Sequence, residues 1–427
     1  MKLMNAKGMR DFPPEEKILR NKIVSKLVEV FEIYGFVPLE TPIVERFDVL
    51  AAKFAAGETS DVMKEIFKLK DQGDRDLGLR FDLTVPFARF VGMNPNIKMP
   101  FKRYQIGEVF RDGPIKLGRY REFWQCDVDV VGSENMMSDA EIIKLSLDVF
   151  KILDMDAYLE VNNRKLLQGL LIDCGVDKSM MEKVIIIIDK LNKIEKVGVK
   201  NELKELGLDE KIINNIIDIF NIKGNDYEIF EILEKKASCD LAIEGLGELK
   251  KLFSYIDGEK IILNLSLARG FSYYTGTLFE GYLRDSSIKS SICGGGRFDN
   301  LIGMYLGNDK KYPAIGISFG LDVISEAMKL KGFGKKKSVS KVYIVPIGYE
   351  KECFDIVEQI RDSGINADID IMGRSISKNM KYADAMGIPY VVLVGEEEMK
   401  LEKVKLRDMK SGKEELVSVD EVVEKLK

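Results

Sequence analysis

The chain has 427 residues, of which 45% are hydrophobic and 32% are charged, and its formal net charge is −5. This length favours two or three domains with sizeable cores, and the charge balance excludes a protein held on nucleic acid by bulk positive charge. Histidine is absent, which excludes a Ser-His-Asp triad, a zinc site with histidine ligands and a histidine pH switch.

The five cysteines are widely separated along the chain, so their spacing predicts reduced thiols rather than a zinc site or a redox pair. The first residues lack the apolar core of a signal peptide. The longest apolar runs, such as Val184–Ile188, are far shorter than the ~20 residues that span a membrane. We therefore expect a soluble cytoplasmic protein with no membrane segment and no protein-bound metal.

The first predicted element is a helix. Phe12–Glu16 places two prolines before two acids, which is typical of a helix start. Apolar residues at near-helical spacing continue the helix until Gly35 ends it, and a strand is predicted over residues 36–42.

Alternating residues then predict strands. Residues 67–70 and 78–81 flank a polar turn and predict a hairpin, and residues 103–110 and 123–131 alternate on either side of a turn that contains glycine and proline. Strands joined by turns favour an antiparallel sheet.

The composition changes near residue 164. Residues 164–257 are rich in Lys, Glu, Ile and Leu at helical spacing, which predicts a helical insertion. Strand and turn patterns return over 261–280 and 291–299, and a basic, glycine-containing linker follows at 332–338. Beyond residue 341, strands alternate with helices and predict a small α/β domain with parallel strand pairs.

Three segments concentrate residues that suit a ligand. The loop after Phe110 taken alone is typical of a solvated hairpin tip. Arg111, however, stands at a strand end, where a planar bidentate donor suits a phosphate group. Leu267–Gly276 contains an arginine, a tyrosine pair and two glycines. This pattern predicts either a strand that a ligand approaches closely or an aromatic strand with glycines at its bends. Cys293–Asp299 contains three glycines but neither a GxGxxG nor a GK[ST] pattern, which excludes Rossmann and Walker sites.

In this order, the segments resemble the histidyl-tRNA synthetase family, which belongs to the class II aminoacyl-tRNA synthetases, over nearly the whole chain. Thr41–Glu45 resembles motif 1 of that class, Phe110–Gln125 resembles motif 2, Leu267–Gly276 resembles the histidine-specific signature, and Ala314–Asp322 stands in the place of motif 3.

The forms of Leu79–Thr84 and Arg111–Pro114 are more similar to archaeal or eukaryotic members than to bacterial ones. The resemblance implies an α+β catalytic domain built on an antiparallel sheet, a helical insertion and a C-terminal α/β domain that binds the anticodon. The expected limits are 1–163 and 258–331 for the catalytic domain, 164–257 for the insertion, 332–340 for the linker and 341–427 for the anticodon-binding domain.

The implied activity joins L-histidine to ATP, which enters with Mg²⁺, and passes the histidyl group to tRNA(His) in a homodimer. The amino-acid carboxylate is already a nucleophile, so positioning and charge neutralisation suffice and no general base is required.

The resemblance also implies the roles of single residues. Arg111 and Arg269 would be catalytic, on two sides of the α-phosphate, and Arg119 would reach the outer phosphates. The α-amino group of histidine would be held by Asp82, Thr84 and Gln125. The ring nitrogens would contact Asp129 and Tyr274, with Arg269 and Tyr273 also at the amino acid. Arg374 and Lys378 would contact tRNA, although an ordinary capped helix explains both residues equally well.

Alternation places Gln125, Asp127 and Asp129 on one face of a strand. The side chains on that face point either toward a ligand or toward solvent. Motif 3 usually carries an arginine where this chain has Val323, so either another residue such as Arg297 compensates in ATP binding or ATP binding is weaker.

Two further hypotheses differ in class from the enzyme. A histidine-binding regulatory subunit of ATP phosphoribosyltransferase, a paralogue of the synthetase, would fit Val323, but that paralogue usually lacks the anticodon-binding domain and the site arginines that this chain retains. A generic nucleotide-binding α/β protein explains neither the order of the motifs nor the missing phosphate loop.

Overall fold

The computed structural model describes residues 3–52, 61–115, 120–256, 260–268 and 273–427. The chain forms two compact units: residues 1–10 and 23–327 make the first, and residues 11–22 and 328–427 make the second.

The first unit is built on a large mixed sheet. Its strands, together with those of a small three-stranded sheet, are β1 (Val37–Pro38), β2 (Val44–Arg46), β3 (Lys68–Lys70), β4 (Asp76–Leu79), β5 (Phe101–Phe110), β6 (Glu122–Val131), β7 (Ala157–Asn163), β8 (Ile261–Leu263), β9 (Thr277–Leu283), β10 (Cys293–Arg297) and β11 (Ala314–Gly320). Within the described residues, the order of the large sheet is β1-β5-β6-β11-β10-β9-β7-β8. Its pairs are antiparallel except β1–β5 and β7–β8, so the predicted antiparallel architecture is confirmed.

The helices up to residue 330 include those of the predicted helical region. They are α1 (Pro14–Ile33), α2 (Phe47–Ala52), α3 (Asp61–Lys64), α4 (Thr84–Met93), α5 (Met136–Ile152), α6 (Arg164–Asp173), α7 (Met181–Ile188), α8 (Leu191–Glu205), α9 (Glu210–Phe220), α10 (Asp226–Lys236), α11 (Asp240–Ser254), α12 (Leu301–Tyr305) and α13 (Leu321–Leu330). The helices α6–α11 fill the stretch where composition predicted an insertion. Asn225 and Glu228 form a capping box at the start of α10, which satisfies N–H groups that a helix start leaves open.

The long hairpin strands β5 and β6 position most of the site. Phe101 lies opposite Val131 and Phe110 lies opposite Glu122. Because side chains alternate along a strand, every second residue of β6 faces the same side of the sheet. The cores of both strands are buried, so their polar residues must find partners or ligands inside the protein.

The second unit has a five-stranded sheet in the order β13-β12-β14-β15-β16. Its strands and helices are β12 (Val342–Pro346), α14 (Glu350–Asp362), β13 (Ala367–Ile369), α15 (Ile376–Met386), β14 (Tyr390–Val394), α16 (Glu396–Lys400), β15 (Val404–Asp408), β16 (Glu414–Val417) and α17 (Val419–Leu426). The pairs of β12 with β13 and β14 are parallel, as the strand–helix alternation predicts. The antiparallel strands β15 and β16 extend the sheet beyond the predicted elements.

Among the helices in the described ranges, none combines the length and the apolar character that crossing a membrane requires.

Candidate active site

A cavity of about 460 Å³ lies in the first unit, against the strands β6, β10 and β11. Seven predicted histidine- or ATP-binding residues line it: Asp82, Thr84, Arg111, Gln125, Asp129, Tyr273 and Tyr274. Residues that are up to 192 positions apart in the chain, such as Asp82 and Tyr274, therefore meet around one space.

The polar face of β6 forms one wall of the cavity. Gln125, Asp127 and Asp129 all line it, and the exposed fractions of the two aspartates are only 2% and 3%. The side chains therefore face an internal cavity rather than bulk solvent. Across the β6–β11 pair, Asp127 lies opposite Ser318 and Asp129 lies opposite Gly316.

Asp129 is held by a buried ion pair. The Arg103 Nη2 atom lies 2.6 Å from Asp129 Oδ2, and both side chains are almost completely buried. Arg103 also donates to the Leu83 carbonyl at 3.2 Å and lies 4.3 Å above the Phe87 ring. Burial raises the pKa of the Asp129 carboxyl and the Arg103 charge opposes that rise. The ion pair fixes the carboxylate at one side of the cavity.

Asp82 and Thr84 reach the cavity from the start of α4. The Asp82 carboxylate accepts a hydrogen bond from the Val85 main-chain N–H at 2.9 Å, so the first turn of the helix orients it. Asp82 is 7% exposed and adds a further acceptor to the cavity.

Arg111 follows directly after β5. Its Nε–H donates to the Phe81 carbonyl at 3.1 Å, and its guanidinium carbon lies 5.0 Å from the centre of the Phe123 ring. The main-chain N–H of Arg111 donates to the Arg121 carbonyl at 2.8 Å. The backbone and the side chain of Arg111 are therefore both held by hydrogen bonds. The guanidinium is a cation in a fixed position at the cavity.

Tyr273 and Tyr274 pack against each other, with ring centres 4.5 Å apart. Tyr273 also makes an edge contact with Phe298. A Cβ atom at Gly296 would lie 2.9 Å from the Tyr274 ring, so a glycine is required where the ring crosses β10. The glycines of the Cys293–Asp299 segment therefore leave space for the side chains of the site, and they do not form a phosphate-binding loop.

Glycines also bring β10 and β11 close together in the floor of the cavity. A Cβ atom at Gly295 would lie 1.9 Å from the Gly316 carbonyl oxygen, and a Cβ atom at Gly316 would lie 1.9 Å from Asp129 Oδ1. Both distances are far below van der Waals contact, so neither position accepts a side chain without a shift of its neighbours.

The structure does not bring every predicted residue to the cavity. Arg119 and Arg269 lie outside the described residues, so their predicted roles stay predictions. Arg297 is buried and its guanidinium is paired with Asp139 on α5. It also donates to the Ser133 carbonyl at 2.9 Å. These contacts commit Arg297 to a buried network, which does not favour its predicted contact with ATP.

A second ion pair joins Arg10, near the start of the chain, to Asp322 in the first turn of α13. The Asp322 carboxylate accepts from the Trp124 main-chain N–H at 3.0 Å and pairs with Arg10 at 2.9 Å. The Arg10 guanidinium lies 4.3 Å from the centre of the Tyr120 ring. Asp322, Val323 and Tyr120 line the cavity, so this pair positions the end of the cavity where Val323 stands.

The sequence patterns missed Arg10, Arg103 and Asp322 as residues that support the site. The Arg103–Asp129 pair follows from the hairpin register, because the two residues lie directly opposite each other in β5 and β6. Fixing that register from the turn would have found the pair. Arg10 and Asp322 are 312 positions apart, and no local pattern links them.

The buried carboxyl groups predict an unusual dependence of stability on pH. Burial raises the pKa of Asp127 to about 7 and that of Asp129 to about 6, from an ordinary 3.8. The folded chain therefore holds protons that the unfolded chain releases, and the free energy of unfolding falls as pH rises toward neutrality. With no histidine in the chain, few other groups titrate between about pH 5 and 8.

We expect Asp127→Asn to gain stability relative to the wild type as the pH rises through this interval, by on the order of 2 kcal/mol in total. Urea unfolding of both proteins at several pH values measures the difference. Parallel pH profiles for the two proteins would contradict the prediction.

In the second unit, the predicted tRNA contacts lie at the start of α15. The Arg374 main-chain N–H donates to Asp370 Oδ2 at 2.6 Å, and its guanidinium lies 4.5 Å from the centre of the Tyr382 ring. Asn379 also donates to Asp370, at 2.9 Å. Lys378 is exposed in the first turn of the helix. Asp370 thus organises the loop that presents both cations.

Comparisons with known proteins agree with this arrangement. The family model described as histidyl-tRNA synthetase matches residues 8–324, and the anticodon binding domain model matches residues 341–427. The chain is 43% identical over 423 residues to histidine--tRNA ligase 1 of Bacillus thuringiensis subsp. konkukian, covering 97% of both chains. It is 37% identical over 434 residues to histidine--tRNA ligase of Clostridium tetani, covering 98% of this chain and 97% of that one.

Solved structures agree with the fold. The histidyl-tRNA synthetase from Nostoc sp. PCC 7120 superimposes with a TM-score of 0.89 at 30% identity and covers 100% of this chain and 99% of its own. A structure described as an ATP phosphoribosyltransferase regulatory subunit/histidyl-tRNA synthetase from Bacillus halodurans C has a TM-score of 0.75 at 23% identity. It covers 90% of this chain and 96% of its own, and at that identity it supports the fold alone.

These relatives are bacterial, so the expected closeness to archaeal or eukaryotic members is not supported. The expectation rested on two short segments, Leu79–Thr84 and Arg111–Pro114, and segments of that length carry too little information to indicate a branch of the family. The match of one family model over most of the chain and the identity to full-length relatives are both decisive for the family itself. The chain belongs to the histidyl-tRNA synthetase family.

Proposed function

We propose that the protein activates L-histidine with ATP to form histidyl-adenylate and then transfers the histidyl group to tRNA(His). The observation that carries the proposal is the cavity, in which buried carboxylates and an amide lie together with the positioned cation of Arg111. Acceptors suit the ammonium and imidazole N–H groups of histidine, and a guanidinium suits the α-phosphate.

In the proposed reaction, a carboxylate oxygen of histidine attacks the α-phosphorus of ATP. The new oxygen–phosphorus bond forms as the bond to the bridging oxygen of the β-phosphate breaks, and pyrophosphate leaves. Arg111 stabilises the charge that builds up on the phosphate oxygens, and Arg269 is proposed to act from the other side. Asp82, Thr84 and Gln125 hold the amino group, and Asp129 and Tyr274 contact the ring.

ATP is proposed to enter with Mg²⁺. In the described parts of the chain, no group of three or more Asp, Glu or Cys side chains is placed to hold a metal ion. Mg²⁺ is commonly held by substrate phosphates, waters and one or two carboxylates, and the triphosphate would carry it into the cavity.

The experiment that tests the function is histidine-dependent exchange of labelled pyrophosphate into ATP, followed by charging of tRNA. We expect both reactions to proceed, and we expect Arg269→Ala to abolish the exchange. A chain that binds histidine but catalyses no exchange would instead support the regulatory-subunit alternative. The anticodon binding domain match over residues 341–427 favours the enzyme.

The protein is proposed to be a cytoplasmic homodimer whose catalytic domain comprises residues 1–163 and 258–331, with the insertion at 164–257, the linker at 332–340 and the anticodon-binding domain at 341–427. Ile43 and Val44, in the segment that resembles motif 1, have exposed fractions of 40% and 42%, and exposed apolar side chains favour an interface there.

Gly316→Ala tests the tight packing under Asp129. The added Cβ atom would overlap the Asp129 carboxylate, so we expect the KM for histidine in the exchange reaction to rise about tenfold or more. Gly247→Ala is the matched control, because a Cβ atom there meets nothing within 4 Å. Equal KM values for the two variants would count against the role of Asp129.

Arg374→Ala tests the tRNA contact. We expect the KM for tRNA in charging to rise about 5- to 20-fold, because a cation that contacts the nucleic acid contributes on the order of 1–2 kcal/mol. Pyrophosphate exchange should not change, since Arg374 lies far along the chain from the cavity residues and in the other unit. Lys410→Ala, at an exposed turn of the same unit, is the control, and an equal effect of both variants would argue against a specific contact.

A further inference from the structure

Three buried acceptor atoms in the cavity wall have no hydrogen-bond partner within the described residues: Gln125 Oε1, Asp127 Oδ1 and Asp129 Oδ2. Asp129 Oδ2 lies 2.6 Å from Arg103 Nη2 in an ion pair, which leaves Gln125 Oε1 and Asp127 Oδ1. Asp127 is 2% exposed and both residues line the cavity. A buried acceptor without a donor is costly, so two such atoms side by side in a cavity indicate a ligand that donates to both.

A hydrogen bond to Ser318 fixes the orientation of the Gln125 amide. Gln125 Nε2 donates to Ser318 Oγ at 2.8 Å, so the amide turns its NH₂ group to Ser318 and its oxygen is left as the unsatisfied atom. Ser318 lies directly opposite Asp127 in the β6–β11 pair, and one carboxylate oxygen of Asp127 is likewise left unsatisfied.

The charges around Asp127 select the kind of donor. The charged groups that act on it are Arg103 from β5, Asp129 from β6 and Asp82 from the start of α4. Arg103 is already paired with Asp129 at 2.6 Å. A neutral donor would leave a buried carboxylate without a counter-charge, whereas a cationic donor satisfies both its charge and its hydrogen bonding.

We propose that Asp127 is a substrate-binding residue that accepts a charged hydrogen bond from the α-ammonium group of the amino-acid substrate, together with Gln125. This inference rests on the proposed function, because it assigns a further contact to the same substrate. Asp127 and Gln125 are two positions apart on one strand face and both line the cavity, so one ammonium can donate to both. Asp129, one step further along that face, is left for the ring.

The test separates the ammonium from the ring by using two ligands. L-Histidine carries both groups, and 3-(imidazol-4-yl)propanoate carries the ring and the carboxylate without the amino group. Binding of each to the full-length protein is measured by titration calorimetry. The fluorescence of Trp124, the single tryptophan of the chain, gives a second signal from the cavity wall.

In Asp127→Asn, which keeps the shape and removes the charge, we expect histidine to bind about 10- to 100-fold more weakly. The dissociation constant of the propanoate should change less than about threefold, because that ligand lacks the α-ammonium group that Asp127 is proposed to bind. Its retained binding also shows that the variant is folded. Asp129→Asn is the comparison variant and should weaken both ligands.

Equal weakening of both ligands by Asp127→Asn, or no weakening of either, would overturn the inference. Wild-type protein that binds the propanoate as tightly as histidine would do the same. A wild type that neither binds histidine nor catalyses exchange would overturn the proposed function, whereas an active wild type with an unaffected Asp127→Asn variant removes only the role of Asp127.

Discussion

Replacing Asp129 by alanine is expected to lower the free energy of unfolding by about 3 kcal/mol and to weaken histidine binding by two orders of magnitude or more. The stability loss follows because Arg103 would keep its buried charge without the counter-ion that lies 2.6 Å away. The binding loss follows because the same carboxylate is proposed to accept a hydrogen bond from an imidazole N–H. Without that acceptor, the buried N–H group of histidine would have no partner in the site.

A double variant separates the two effects. Arg103→Met combined with Asp129→Leu removes both charges, so we expect much of the stability to return while histidine binding stays lost. Asp355→Ala is the control, since its ion pair with Lys351 is largely exposed and should change stability by less than about 0.5 kcal/mol. Urea unfolding and calorimetry measure both quantities. A double variant as unstable as the single one would show that the ion pair is not the cause.

Arg111→Ala is expected to lower the rate of histidine-dependent pyrophosphate exchange by about 10²- to 10³-fold, the range seen when one positioned donor to a transition-state charge is removed. Its Nε bond to the Phe81 carbonyl sets the direction of the guanidinium. Lysine lacks the planar fork, so Arg111→Lys should restore little of the rate.

The matched control for Arg111 is Arg46→Ala, because Arg46 is an arginine whose side chain is 74% exposed. Exchange by that variant should equal the wild-type rate. If Arg111→Ala keeps a rate within about threefold of the wild type, another cation, with Arg269 as the proposed candidate, carries the catalytic charge.

Much of the fold could be predicted because its signals are local. Alternation predicted β5 and β6, and the change of composition near residue 164 predicted the helical stretch. The prolines and acids around the first turn of α1 placed its start. A strand was predicted over residues 36–42, and β1 occupies only two of those residues, Val37–Pro38. The added strands β15 and β16 were not predicted, because they depend on pairing partners and not on a strong pattern of their own.

The site was predicted unevenly for the same reason. Asp82, Gln125 and Asp129 belong to short motifs, and the structure brings them to one cavity. Arg297 also belongs to a motif, but its partner Asp139 lies 158 positions earlier, and the burial of the pair appears only in three dimensions. Asp127 looked like one of several acids on a strand until its burial and its unpartnered oxygen were known.

The close approach of β10 to β11 has a consequence for inhibitor design. At Gly295, Gly296 and Gly316, the cavity is bounded by polypeptide backbone, and any larger residue there would collide with a neighbouring strand or ring. For a compound that binds mainly to this surface, few single amino-acid substitutions could confer resistance. A substitution that prevents the compound from binding would also disturb the pocket that binds the natural amino acid.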